Sequence, residues 1–336
     1  MNSLCPVPSV PETARNLPSV SVVMPCYNAQ KFIGVAIKSV LDQDYGGMLE
    51  IIVVDDGSSD DSVALASAFP FVKIFRQANK GPAAARNHAI RQSQGDLIAF
   101  LDADDVWTPG SLQARVDILN IEPDVDIAFG DLTQWFAPEL RQDSPPETVW
   151  ALPKYLDPAL SSGWLYPYIL LDTILTIITA LVRRRVFDDV GLFDEELRVG
   201  EDYDFWIRVA QDHRFRKADQ VVARYRRHGA STTMALRNDI CEYDVVIRAI
   251  DRFGLRSRGQ AVLPSGALQH RLFKICFDHG YTHYWQGEAS IAARSFRLAL
   301  GHKTLNAKAM TYWLLSSLRV LRRSAVSNRP GARDLH

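Results

Sequence analysis

Apolar runs of four or five residues recur along the first third of the chain, each followed by a polar turn and then by apolar positions at helical spacing. Residues 20–24, 51–54, 72–75 and 97–101 read as four short strands. Pro25, Cys26, Tyr27 and Asn28 are expected to break the first. A helix then begins near Asn28 or Ala29 and carries Ile33, Ile37, Val40 and Leu41 on one face. Gly57 permits a turn after the second strand, where serines 58 and 59 can cap the next helix. A further helix is predicted from Ala83. Near-continuous apolar strands separated by helical crossovers predict an α/β fold: an open, mostly parallel sheet with helices on both faces.

The rhythm loosens after residue 125. A strand is predicted over 126–130, loop over the proline-containing stretch 136–163, and a strand over 178–183. An amphipathic helix opens at Gly200-Glu201-Asp202-Tyr203-Asp204, with Phe205, Val209 and Ala210 near one face. From about 238 the chain is mainly helical, and Tyr281, Tyr284 and Trp285 are expected to pack between helices. The expected organisation is a flexible lead (1–18), two halves of one domain (19–125 and 126–237) and a helical C-terminal region (238–336). The lead is proline-rich and has no apolar core, so it does not read as a signal peptide. Residues 164–182 form a nearly continuous apolar run of membrane-spanning length. Pro167 and Asp172 interrupt it, and a central carboxylate is costly in hydrocarbon, so a buried or surface-associated segment is expected.

Composition narrows the classes further. With 336 residues, 47% hydrophobic and 23% charged, the chain is neither disordered nor collagen-like. A net charge of −1 provides no global field for nucleic acid. The local exception is the tail from 301, where Lys303, Lys308, Arg319, Arg322, Arg323, Arg329 and Arg333 face Asp334 alone. That tail reads either as a solvated helix end or as a contact for an anionic membrane surface or a partner. Four cysteines, at 5, 26, 241 and 276, are too scattered for zinc spacing and are expected to be small buried hydrophobes in a reducing compartment.

Candidate chemistry lies at the strand ends. Ligands of open α/β sheets sit outside the carboxyl ends of the strands. The predicted topology collects Tyr27, Asn28, Asp55, Asp56, Asp102, Asp104 and Asp105 there. The sequence contains no GxGxxG after a strand, no GxxxxGK[ST], no HExxH and no GxSxG, which removes the dinucleotide, P-loop, metalloprotease and α/β-hydrolase signatures. Asp102-x-Asp104 supplies hard oxygen ligands suited to Mg²⁺ or Mn²⁺, and such ions usually complete their shell with water and substrate phosphates.

The segments VSVVMPCYN (20–28), VVDDGSSDDS (53–62), NKGPAAARN (79–87), FLDADD (100–105) and GEDYDFWIRV (200–209) occur in order and together resemble the inverting family 2 glycosyltransferases, with their GT-A nucleotide-sugar-binding fold. The resemblance covers about 19–232 and not the last hundred residues. It implies that Pro25, Tyr27 and Asn28 contact the nucleotide, with the tyrosine ring on the base, and that Asp56 accepts a hydrogen bond from a pyrimidine imide. Lys80 and Arg86 fall near the nucleotide, although a surface arginine on a helix would explain Arg86 as well. The implied divalent ion, Mn²⁺ or Mg²⁺, falls to Asp102, Asp104 and His228, with Asp102 nearer the ribose or sugar. Asp105 competes with Asp104, and the arginines beside His228 could meet phosphate. Asp202 is the implied general base, while helix-start charge suffices for Glu201 and Asp204. Ser231-Thr232-Thr233 resembles a loop that orders over nucleotide.

The function implied is metal-dependent inverting transfer from a nucleotide-diphosphate sugar, a UDP-sugar first, to a hydroxyl of a glycan or lipid-linked acceptor. The chain has no QxxRW and no set of spanning segments, so single-sugar addition fits better than processive polymerisation. A cytoplasmic location follows, with peripheral association at the inner membrane face as its extension. A catalytically silent nucleotide-sugar-binding scaffold is the alternative. A sugar nucleotidyltransferase is a further one, though PCYNAQ lacks the glycine-rich, arginine-containing loop it needs.

Overall fold

A computed structural model describes residues 17–136, 148–149, 162–229, 236–256, 258–259, 263 and 266–327. The lead over 1–16, most of the predicted loop 136–163, the turn 231–233, and Arg329 and Arg333 lie outside them. The chain divides into two compact units, Met1–Leu165 with Ile174–His228, and Tyr166–Thr173 with Gly229–His336.

In the first unit, strand and helix alternate as β1 (Val20–Cys26), α1 (Ile33–Leu41), β2 (Leu49–Asp55), α2 (Ser62–Ser67), β3 (Val72–Arg76), α3 (Pro82–Gln92) and β4 (Leu97–Phe100). There follow β5 (Val106–Trp107), α4 (Ser111–Ile121), β6 (Ile127–Phe136) and β7 (Thr148–Val149). Helix α5 (Tyr166–Leu171) belongs to the second unit, and the first resumes with β8 (Leu181–Arg183), α6 (Arg185–Val190), α7 (Glu201–Val209) and β9 (Phe215–Arg227). The sheet order is β3-β2-β1-β4-β8-β6-β9-β5, with β7 paired to β6. The first four strands are parallel. Strand β8 runs antiparallel to β4 and β6, β9 runs parallel to β6, and β5 antiparallel to β9. Strand order reverses between β1 and β4, and this is where an open α/β sheet leaves a crevice at its carboxyl edge.

The apolar runs are buried as predicted: Val22, Val23, Ile52, Val54, Ile98 and Phe100 are closed to solvent. Pro25 does not end β1, which continues to Cys26 in register with Asp55. Val23 accepts a hydrogen bond from Leu101 on the β4 side, so the same side of Pro25 faces beyond the end of β4, where a missing N–H costs no ladder bond. Helix α1 starts only at Ile33, after a turn in which Phe32 and Ile33 both donate to the Ala29 carbonyl. Leu41 is exposed, and Ala36 takes its place on the buried face with Ile33, Ile37 and Val40. Strand β6 runs on past 130: Gly130 marks a register shift against β9, where an added Cβ would stand 2.5 Å from Val222, so it is a bulge and not a strand end. The strand expected over 178–183 shortens to Leu181–Arg183. Before it Ile177–Thr179 form a 3₁₀ turn in which the Thr179 hydroxyl and N–H both donate to the Thr176 carbonyl.

The apolar run 164–182 is therefore split between α5, the 3₁₀ turn and β8. Its large side chains, among them Tyr166, Ile169, Leu170 and Ile178, are buried. No helix among the described residues is long and apolar enough to cross a membrane.

The second unit is helical: α5, α8 (Cys241–Phe253), α9 (Ala267–Gln286), α10 (Ala289–His302) and α11 (Ala307–Ser327). Phe273, Ile275, Cys276, Ala299 and Ala309 form its core. Gly280 lets α9 approach the Phe296 ring of α10, where a Cβ would stand 3.1 Å away. The Tyr166 hydroxyl donates to the Gly254 carbonyl at 2.7 Å, and Arg271 joins Glu242 and Asp172. Tyr281 and Tyr284 pack edge-on against Tyr312, as expected of helix packing, but Trp285 is exposed. Cys26 and Cys276 are buried, which pushes their thiols up to about 11 and about 12, while Cys241 is half-buried.

Candidate active site

The loops after β1 and β2 are laced together. Asn28 adopts a left-handed backbone (φ 49°), unusual for any residue but glycine yet tolerated by asparagine. Its N–H donates to the Ser58 hydroxyl at 2.9 Å and its Oδ1 accepts from the Ser59 N–H at 2.9 Å. Ala29 donates to the Ser62 hydroxyl and Gln30 to Asp60. Asn28 is thereby a strut between two loops, and it leaves the Tyr27 ring 54% exposed on the edge beside the half-buried Pro25.

Asp55 and Asp56, both buried, divide the next turn. Asp55 accepts from the Ser58 N–H at 3.2 Å and pairs with Arg76 at 3.2 Å. Asp56 reaches further along the edge: its Oδ1 accepts from Gln77 Nε2 and the Lys80 N–H, both at 2.9 Å, and its Oδ2 accepts from the Gly81 N–H at 2.8 Å. Gly81 can present that N–H because its φ is 95°. Asp56 thus shapes the 77–81 loop, and the Lys80 side chain projects from it into solvent.

Arg86 and Asn87 on α3 organise the opposite wall. The Arg86 side chain is only 4% exposed, so it is not a helix-surface arginine. Its Nη1 donates to Glu201 Oε1 and its Nη2 to Asp102 Oδ1, each at 2.7 Å. Both terminal nitrogens are committed to carboxylates, so Arg86 positions the site through them. Burial works against its charge, but Asp102 and Glu201 hold the guanidinium firmly protonated. Asn87 donates to the Phe193 carbonyl and Glu195, each at 2.9 Å, and accepts from the Phe193 N–H at 3.0 Å, tying down the segment that leads to α7. Gly200, left-handed at φ 81°, then starts that helix. Glu201 is buried and belongs to the Arg86 network, more than a helix-start charge. Asp204 does serve its own helix, pairing with Arg208 one turn on at 2.8 Å. Asp202 lies between them. Burial, and then the Glu201 charge, push its carboxyl up to about 6, with Arg86 pulling the other way.

The acidic turn after β4 meets the end of β9. Asp105 is buried: its Oδ1 accepts from the Arg226 N–H at 2.7 Å, and its Oδ2 has no hydrogen-bond partner among the described residues. Asp104 is partly exposed, and its Oδ2 stands 2.9 Å from His228 Nε2. Burial first, and then neighbouring carboxylates, raise both, Asp105 well above the usual range; His228 opposes the shift at Asp104. Sequence left Asp104 and Asp105 unranked, whereas the structure turns Asp105 toward the β9 backbone and Asp104 toward His228. Arg226 does not turn to the edge: it lies over the rings of Phe32 and Trp135, 4.9 and 4.4 Å from their centroids, and donates to the Asp104 carbonyl.

Among the described residues, no group of three or more His, Cys, Asp and Glu side chains is arranged as a metal cage. The pair Asp104–His228 nonetheless fits a hard divalent ion. One carboxylate and one imidazole at hydrogen-bond separation leave the remaining positions to phosphate oxygens and water, as Mg²⁺ and Mn²⁺ prefer. Asp102, held by Arg86 yet partly exposed, is the next oxygen along the edge.

Sequence reasoning missed Asn87, Glu201, Phe32 and Trp135 as parts of this assembly. The one available signal was the adjacency of Arg86 and Asn87, two polar residues in a helix turn that otherwise reads Ala83-Ala84-Ala85.

A parallel half-sheet whose carboxyl edge gathers Asp102, Asp104 and His228, with the buried Arg86 linking that edge to Glu201, is the arrangement of a GT-A-type glycosyltransferase. The comparisons agree: the model of glycosyl transferase family 2 matches residues 21–190, and the chain belongs to that family and is a glycosyl-transferring enzyme. An uncharacterized glycosyltransferase of Rickettsia prowazekii (strain Madrid E) is 30% identical over 231 residues, 68% of this chain and 70% of that one. The UDP-Glc:alpha-D-GlcNAc-diphosphoundecaprenol beta-1,3-glucosyltransferase WfgD of Escherichia coli is 36% identical over 115 residues, 33% of this chain and 45% of that one. The crystal structure of S. aureus TarS 1-349 in complex with UDP-GlcNAc superposes with a TM-score of 0.61 at 18% identity, covering 89% of each chain, a likeness of fold.

Proposed function

We propose that the protein moves a sugar, with inversion, from a UDP-sugar to a hydroxyl of a glycan or lipid-linked acceptor at the inner face of a membrane. The observation that carries the reading is the buried Arg86, which joins the acidic turn after β4 to the start of α7 and so sets Asp202 beside the nucleotide edge. That TarS is seen with UDP-GlcNAc and that WfgD is named for a UDP-sugar and a diphosphoundecaprenol-linked acceptor supports the donor and acceptor classes.

In this reading the exposed Tyr27 ring stacks on the base, and Asp56, while shaping the 77–81 loop, accepts from the pyrimidine imide with a remaining lone pair. Lys80 reaches toward phosphate. Asp104 and His228 hold the divalent ion, with Asp102 contributing toward it and the ribose. A divalent ion held by those residues would supply positive charge to the departing diphosphate. Asp202, raised toward neutrality, takes the proton of the acceptor hydroxyl as its oxygen attacks the anomeric carbon from the face opposite the diphosphate. A single displacement inverts the configuration. Arg86 and Glu201 fix where that carboxylate stands.

The test is calorimetric titration of UDP, GDP and dTDP, each with and without Mn²⁺. Mn²⁺-dependent binding of UDP alone is the expected result. Binding of none of them to folded protein would overturn the donor assignment and favour a silent scaffold.

A further inference from the structure

Helix α11 exposes its leucines. It buries Ala309 and Ser316, two small residues seven apart, against its neighbours. Tyr312 packs inward on Phe277 and Phe296, but the long aliphatic side chains point the other way: Met310, Leu314, Leu318 and Leu321 recur at i, i+4, i+8 and i+11, all exposed, with Leu321 at 64%. The stripe is about 16 Å long at 1.5 Å per residue. Just ahead of the helix Leu305 is 92% exposed. A contiguous exposed face of this kind marks an interaction surface.

The charge around the stripe selects its occupant. Lys308, Arg319 and Arg322 lie along one flank at helical spacing, and no Asp or Glu occurs between Glu288 and Asp334. Two of those cations are pinned on the aromatic cluster of α9. Lys308 stands 5.3 Å from the centroids of both Phe277 and Tyr281, and Arg319 stands 4.0 Å from that of Tyr284 while donating to its carbonyl at 2.9 Å. Trp285, exposed, adjoins Tyr284 at 5.1 Å between ring centroids. Leucines, a flanking cation row and an exposed tryptophan are what the headgroup boundary of an anionic bilayer receives. A second copy of the same face would bring cations and no carboxylate to meet them.

We propose that the Met310–Leu314–Leu318–Leu321 face of α11 lies in the interfacial layer of an anionic phospholipid bilayer, with its flanking cations among the headgroups. The proposal deepens the lipid-linked-acceptor reading and rests on it for its purpose, since adhesion brings the enzyme to the surface that presents such an acceptor. The experiment is flotation of the full chain with vesicles of phosphatidylcholine alone, and of phosphatidylcholine with an equal part of phosphatidylglycerol. The protein should float with the mixed vesicles at low salt and stay behind with phosphatidylcholine. Leu314→Glu with Leu318→Glu, and separately Arg322→Glu, should each lower the partition about tenfold or more, with melting temperature and UDP titration unchanged. Absence of flotation of the unaltered chain would overturn the proposal, as would undiminished flotation of the double variant. So would a dimer in sedimentation velocity that the double variant dissolves, because the face would then join two copies. Loss of UDP binding with flotation intact would strike the donor reading alone.

Discussion

Arg86 on α3 and Glu201 on α7 are 115 residues apart in sequence and joined by a 2.7 Å charge-assisted hydrogen bond in a place closed to water. The same guanidinium holds Asp102 at 2.7 Å, so one cation ties the acidic turn of the sheet edge to the residue adjoining Asp202. Removing it leaves a buried carboxylate without its partner. Arg86→Ala should cost about 3–5 kcal/mol of stability, read from the urea midpoint, and abolish transfer. Lysine cannot fork to two carboxylates, so Arg86→Lys should fold better than Arg86→Ala yet remain slow.

Asp202 carries the proton-transfer assignment. Asp202→Asn should lower kcat by about 10²–10⁴ and leave UDP binding intact. Loss of UDP binding as well would move Asp202 into the donor pocket, and unchanged turnover would remove it as the base.

The raised carboxyl of Asp202 predicts the pH profile. A base works only when deprotonated, so kcat/KM should be level above pH 6 and fall about tenfold per pH unit below its pKa of about 6. Glu201 is one cause of that elevation. Glu201→Gln should therefore shift the acidic limb of the profile to lower pH, which a merely structural role for Glu201 would not do.

Asp104 and Asp105 should behave differently despite their adjacency. Asp104→Asn and His228→Ala should each abolish the Mn²⁺ dependence of UDP binding seen by calorimetry. Asp105→Asn, at a carboxylate turned into the β9 backbone, should retain it. Equal losses in all three would assign the ion to the acidic turn as a whole.

Tyr27 supplies the stacking test. Base stacking on an aromatic ring is worth about 1–3 kcal/mol, so Tyr27→Ala should weaken UDP by about tenfold or more while the melting temperature holds, because the ring is mostly in solvent. Tyr27→Phe should bind normally. A drop in melting temperature with affinity intact would assign the ring to packing.

The polar side chains separate into those readable along the chain and those that were not. Asp56, Asp102, Asp104 and Asp202 stand beside glycines, strand ends or a helix start, and local sequence announces such positions. His228 was visible only through the family resemblance. Glu201 reads as an ordinary helix-start acid, and Arg86 as a nucleotide contact or a surface arginine, because their partners lie 115 and 16 residues away. Only burial, which no local pattern records, reveals that these charges neutralise one another.

What sequence by itself determined is the strand-and-helix rhythm of the first half, the parallel direction of its strands, and the gathering of acids at one edge. These follow from apolar periodicity and from short crossovers, which are local and handed. Tertiary structure alone decided that β1 runs through Pro25, that Gly130 is a bulge, and that the apolar run 164–182 is cut into a helix, a turn and a strand. It also separated Asp104 from Asp105, and it turned the leucines of α11 outward. Each of these depends on which neighbour occupies a side of the backbone or a face of a helix. Packing between segments distant in sequence settles that, and residue order does not encode it locally.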